Sequence, residues 1–439
     1  MEPSGLSLGS VRFGTDERDS CLAALGGADS KRGDSVLGAS WRSVPQLTST
    51  MQSRRAFGSL VTARLVYAIN WVNVGAIFYL MGPDLRAGVS GLGLITSTFY
   101  LGLGVFQVPG GVLAARWGPK RVVVLGIFIS SASALATASA AGVVEVAVLR
   151  FVVGCGMAFV FAPATIIIAR LLRGGKSGMG VGVMNSTFDL GGIVGIFGWV
   201  VVASVTGWRP SLVLSGVFGL ATGVMVALFV AEGGAAKAPK VDRKALAAVI
   251  GDRQLILLGL GTVGFGIAST VIAGFMTLYG VRSLGVSGAL ASGSTSLVYV
   301  VPIFTSLWGG RAFDVLARHR MIMVASLMGS AAALSLAAYP SLPAAAVSSS
   351  LAGLVSGVGY TFAFAGAREL NRAGREYESL AVAWVNSISL TGSFFPPVLF
   401  SYMVEAYGYS LAWVGSGVLT LAFVAPVLLM VETWRVRAG

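Results

Sequence analysis

Long apolar stretches recur from Gly58 to Val431, each near the length of one membrane crossing and each separated from the next by a short loop. A bilayer's hydrocarbon core is roughly 30 Å thick and takes about 20 apolar residues of helix per crossing. Only helices or closed barrels satisfy their own backbone there. Twelve stretches can be drawn: 58–82, 91–114, 121–141, 143–171, 178–206, 210–231, 254–280, 288–309, 321–340, 343–367, 379–404 and 409–431. The expected fold class is an all-α membrane protein with twelve transmembrane helices.

Composition excludes the alternatives. Charged residues make up 11% of the chain, far below the quarter or so found in soluble domains. The net charge of +13 would suggest nucleic acid in a soluble protein, but here the basic residues lie between apolar spans, where they orient the chain. No nucleic-acid partner is expected; the surroundings are the lipid bilayer. His319, Cys21 and Cys155 form no cluster with metal-ligand or nucleophile-and-base spacing, so neither a metal, a cofactor nor an enzyme is expected. Gly175-Lys176-Ser177 imitates the end of a phosphate loop, but Arg170 stands where its first glycine belongs, so no nucleotide is expected.

Residues 1–57 are polar, rich in Gly and Ser, and lack the apolar run of a signal peptide; they read as a disordered tail. Met51, just before Arg54 and Arg55, is a second candidate start. Residues 232–253 read as a linker containing a short amphipathic helix around Lys244 to Ile250, dividing the chain into halves at 58–231 and 254–431, with a short tail at 432–439. Arg116, Lys120, Arg121, Arg170, Lys244, Arg311, Arg318, Arg320, Arg368 and Arg372, among others, fall on the side of the N-terminus. Only Arg86, Arg209 and Arg282 fall opposite. Positive loops stay inside, so both termini, the tails and the linker are expected in the cytoplasm of a multi-pass plasma-membrane protein.

Two loops occupy equivalent places in the halves. The first reads Gly111-Val-Leu-Ala-Ala115-Arg116-Trp-Gly118-Pro-Lys120-Arg121, and the second Gly310-Arg311-Ala-Phe-Asp314-Val-Leu-Ala-Arg318. Both resemble the loop signature of the major facilitator superfamily, with a Gly, an Asp four residues later and a basic cluster. Arg150-Phe-Val-Val-Gly154-Cys-Gly156 resembles that family's second signature, and Gly207-Trp208-Arg209 is also common there. The resemblance covers about 58–431 and implies two six-helix bundles, a central site and alternating access. It also implies a gating role for Gly111, Arg116, Gly118, Lys120, Arg121, Gly310, Asp314 and Arg318. Ala115 stands where the family usually has Asp, which implies a weaker latch in the first half. Helix 5 lacks the family's antiporter Gly-Pro pair, and its Gly191, Gly192, Gly195 and Gly198 read mainly as packing positions.

Three ionisable residues lie well inside spans: Arg64, Arg150 and Asp189. A charge at mid-membrane costs about 2.5–3.5 kcal/mol on insertion scales, so each needs a partner or a wet cavity. Arg64 could instead snorkel to the nearby membrane face. Arg150 could bond neighbouring helix carbonyls, and Asp189 could pair with a cation or with Asn185. Asn70, Asn73 and Asn185 extend the polar set in the first half; Tyr299, Tyr360, Trp384 and Asn386 are the candidates in the second. The cavity is expected to be basic and polar on one wall and aromatic on the other. The sequence thus points to proton-coupled uptake of a small, anionic molecule, with efflux of an amphipathic compound as the alternative and a transport-dead sensor as a third reading.

Overall fold

The computed structural model describes residues 44–172, 177–231, 243–316, 318–374 and 377–431. Most of the tail at 1–57, most of the linker and the tail at 432–439 lie outside these residues.

Among the described residues, the expected spans appear as helices. They are α1 (Gln52–Ala76, continued after a bend by Phe78–Asp84), α2 (Val89–Trp117), α3 (Pro119–Thr137), α4 (Val143–Ile168), α5 (Gly182–Thr206) and α6 (Trp208–Phe229). The second half has α7 (Arg253–Arg282), α8 (Gly288–Ser306, helical on to Val315), α9 (His319–Leu336), α10 (Leu342–Glu369), α11 (Glu378–Tyr407) and α12 (Tyr409–Leu428). Helix starts are capped where the chain leaves the apolar phase: Asp252 accepts from the Gln254 and Leu255 N–H groups at 2.7 and 3.2 Å, and Ser287 from Leu290 at 3.3 Å. Gly118 and Gly207 hold φ of +88° and +86° in the tight turns after α2 and α5, a region that side chains disfavour.

α1 was expected to be one span and is broken. It bends by 55° at Ile77. The Arg150 guanidinium donates to the Asn70 and Trp71 carbonyls at 2.9 and 3.3 Å, and nearly two turns later the Ile77 N–H donates to Val74 O at 3.3 Å, a tightened turn. The segment after the bend contains Pro83, which has no N–H to give to Tyr79, and proline is the commonest cause of such bends.

The halves are joined unevenly. At the end away from the described N-terminal start of α1, one apolar cluster runs through both halves, from Phe78, Leu92 and Ile95 to Phe275, Phe400 and Trp413. At the other end the clusters separate: one is built of the first half with Leu390 added, and another of the second half with Val249 of the linker added. The helix Arg243–Ile250 stands where the sequence places an amphipathic segment, and its Val249 packs into the second of these clusters. Packing is therefore closed at one end of the molecule and parted at the other.

Candidate functional site

Arg64 does not snorkel. It is 6% exposed, and its guanidinium carbon lies 4.7, 4.5 and 4.4 Å from the ring centres of Tyr67, Phe161 and Phe188. Its Nε donates to the Met184 carbonyl at 3.4 Å. Three helices thus build an aromatic cage around one cation: α1 through Tyr67, α4 through Phe161 and α5 through Phe188. Cation–π contacts of this kind contribute about 0.5–2 kcal/mol each, most where water is excluded, and they offset part of the cost of a buried charge.

Asp189, next to Phe188, is half-buried and close enough to Arg64 for the two charges to interact. Among the described residues it makes no ion pair within 4.0 Å and no hydrogen bond to Asn185, which is exposed. Arg64 and Asp189 are therefore neighbours without being locked together, and the guanidinium is also hydrogen-bonded to the Tyr67 side chain.

Arg150 is placed differently. Its two terminal nitrogens are committed to the α1 backbone, and its carbon lies 4.3 Å from the Phe99 ring centre. Arg150 thus bonds helix carbonyls and also lines a cavity between the halves, its Nε without a hydrogen-bond partner among the described residues. Asn70 and Asn73 also turn away from the inter-half space: the Asn70 carbonyl oxygen accepts from Ser215 Oγ, and Asn73 donates to the same hydroxyl at 3.1 Å. Both asparagines tie α1 to α6 within the first half.

The second half contributes Tyr299 and Tyr360. Tyr299 meets Phe188 edge-on at 6.0 Å across the halves, and its ring lies flat against Gly192, where an added Cβ would sit 2.6 Å from it. Tyr360 stacks on Phe364 at 5.9 Å and meets Phe265 edge-on at 6.1 Å. Trp384 packs instead against the second half's own cluster, and Asn386 makes no hydrogen bond among the described residues. Gly191 and Gly195 seat α1 against α5, facing Leu65 and Ile69, as packing positions do.

The first half thus adds aromatic rings to its buried Arg64 and Arg150 and to Asp189, while Asn70 and Asn73 serve its own packing. The sequence reading omitted Tyr67, Trp71, Tyr100, Phe161 and Phe188. Two of them carried a signal, since Tyr67 and Trp71 stand three and seven residues after Arg64 on one helix face. Trp71 touches the rings of Tyr67, Phe188, Phe99 and Tyr100 at 5.4–5.7 Å and donates to Tyr100 Oη at 2.9 Å. Beside it a small cavity of about 20 Å³, room for a water molecule or two, opens between the halves and touches Arg150, Tyr100, Thr96 and Thr270.

The loops of the family signature lie at the parted end. Ala115, Arg116 and Trp117 are exposed, as are Arg121, Arg311 and Arg318; Gly118 and Lys120 are half-buried, and Gly111 and Gly310 face open space. The side chain of Asp314 lies outside what is described.

A sequence model of the Major Facilitator Superfamily matches residues 60–370. The chain belongs to this superfamily. Relatives include a probable sulfoacetate transporter of Cupriavidus necator, 29% identical over 37% of this chain and 37% of its own length. A hexuronate transporter of Bacillus subtilis is 30% identical over 34% and 35%, and a 4-hydroxybenzoate transporter of Pseudomonas aeruginosa 27% over 35% and 34%. The matched part spans about a third of the length of each of these relatives. Among solved structures, a bacterial homologue of the human lysosomal transporter Spinster superposes with a TM-score of 0.68 at 17% identity, over 87% of this chain and 98% of that one. Among the described residues, this major facilitator protein has eleven helices long and apolar enough to cross a membrane, or twelve with the bent α1.

Proposed function

We propose that this chain takes a small organic anion into the cell across the plasma membrane, coupled to protons, with Arg64 as the anion-binding group and Asp189 as the proton-coupling group. The observation that carries the reading is the environment of Arg64: a buried cation, caged by rings and without a carboxylate within 4.0 Å among the described residues. Relatives named for sulfoacetate, hexuronate and 4-hydroxybenzoate transport support an anionic substrate.

The cycle follows from the Arg64–Asp189 relationship. In the empty carrier the two charges attract each other. A substrate carboxylate that pairs with the guanidinium neutralises it, and Asp189, deprived of its cation, then accepts a proton. By linkage the proton and the anion favour each other's binding. Rocking of the bundles carries the neutralised pair across, from the closed arrangement at one end to closure at the other.

The parted end bears the loops that the charge count assigns to the cytoplasm, so this arrangement corresponds to an inward-facing carrier. The linker and both tails belong to the same side in this reading.

The test is uptake into proteoliposomes of radiolabelled organic acids, with and without an inward proton gradient. Accumulation that needs the gradient and fails in Arg64→Ala supports the reading. Gradient-driven loss of an amphipathic compound from loaded vesicles, with no acid uptake, would instead establish efflux.

A further inference from the structure

We infer that the transported anion has an aromatic or similarly flat apolar body, its carboxylate on Arg64 and its ring between Phe188 and Tyr299. This inference rests on the organic-anion reading above and narrows its substrate class.

Phe188 is the link. It covers the Arg64 guanidinium at 4.4 Å, meets Tyr67 at 6.2 Å and Trp71 at 5.4 Å, and reaches Tyr299 of the opposite half at 6.0 Å. The cation-binding cage is therefore continuous with an aromatic contact that crosses the halves. That contact is an edge-to-ring one, an arrangement a flat ring can replace on either face when the bundles move apart. Gly192 matters because its missing side chain lets Tyr299 lie against the α5 backbone, so the ring is positioned by the helix itself.

The same surroundings count against other acids. A hexuronate brings several hydroxyls, each needing a hydrogen-bond partner once out of water. Among the described residues the neighbours of Arg64 are mostly ring faces, with the Met184 carbonyl, the Tyr67 hydroxyl and Asp189 as the polar groups, too few for several hydroxyls. A short dianion such as sulfoacetate needs a second cation. Arg150, the other buried arginine of the first half, gives its terminal nitrogens to the carbonyls of Asn70 and Trp71, so a second acidic group there would compete with those bonds. A monoanion with a planar body leaves neither group stranded.

The experiment is entrance counterflow with the full chain in liposomes, using labelled 4-hydroxybenzoate, glucuronate and sulfoacetate in turn. The expected result is exchange of 4-hydroxybenzoate at a half-saturating concentration at least about tenfold below that of the other two, in line with the selectivity such contacts can give. Phe188→Leu should raise that concentration between about twofold and tenfold, the loss of one or two ring contacts, while Phe188→Tyr, which keeps the ring, should hold it within about twofold. Preferred exchange of glucuronate or sulfoacetate overturns the inference and leaves the organic-anion reading standing. Exchange of none of the three by folded protein overturns both. Equal losses in the Leu and Tyr variants, shared by every acid, would reduce Phe188 to a packing residue and overturn the subsite.

Discussion

The backbone N–H of Ser90, in the first turn of α2, donates to Glu405 Oε1 near the end of α11 at 3.0 Å. The bond joins the two halves at the closed end, and it places a carboxylate on a helix N-terminus, where negative charge is favoured. Nearby, Asp84 pairs with Arg209 at 3.0 Å and accepts from Trp208 Nε1 at 2.9 Å, but these residues all belong to the first half. Glu405 is thus the acid that can oppose separation of the bundles at this end. Glu405→Ala is expected to shift the population toward opening there by about two- to fivefold, the equivalent of a terminal charge–dipole interaction. Spin labels across that mouth should report longer distances; an unchanged distribution would show that the apolar cluster alone holds the end shut.

Arg64 and Arg150 are expected to respond oppositely to conservative change. Arg150→Lys loses the planar fork that spans two carbonyls of α1, so it should lower the melting temperature by several degrees while the folded fraction keeps most of its substrate affinity. Arg64→Lys keeps the charge inside a cage shaped for a flat cation, and should weaken anion binding about tenfold or more with little change in melting. Thermal melts and binding titrations on the same purified variants check both halves of this expectation.

Asp189→Asn should abolish accumulation driven by a proton gradient and leave exchange of labelled for unlabelled substrate intact. Exchange needs only the anion site and the rocking motion, whereas accumulation needs a group that gains and loses a proton with the substrate. Accumulation at the wild-type rate in the Asn variant would remove Asp189 from the coupling.

Ala115 is exposed at the parted end, where the superfamily's loops usually carry an acid. Ala115→Asp should favour closure of that end, shortening distances between spin labels placed across it. Asp314→Asn, in the equivalent loop of the second half, should lengthen them. Wild-type distributions in both variants would mean that these loop acids do not set the gate in this protein.

The fold was legible because membrane insertion leaves so little choice. Each backbone group must be satisfied within its own helix, so the lengths of the apolar runs and the positions of the basic loops define the helices, and the paired loops at Gly111 and Gly310 identify the superfamily. Those signals are local, and they held for every span except α1. There the Phe78–Asp84 segment contains Pro83, and Arg150, 80 residues beyond Asn70, bonds the carbonyls of the segment before the bend.

The site was legible only in part, for the same reason. Sequence identified which residues carry charge at mid-span: Arg64, Arg150 and Asp189. It could not tell a cation held for a ligand from one consumed by a neighbouring helix, because that depends on which backbone carbonyls lie within about 3 Å once the helices pack. Tertiary structure gave Arg150 to the carbonyls of α1, turned Asn70 and Asn73 toward Ser215, and left Arg64 among rings from three helices. The aromatic residues escaped notice because a ring in an apolar span looks like any other core residue, and only contact across helices distinguishes Phe188 from the rest.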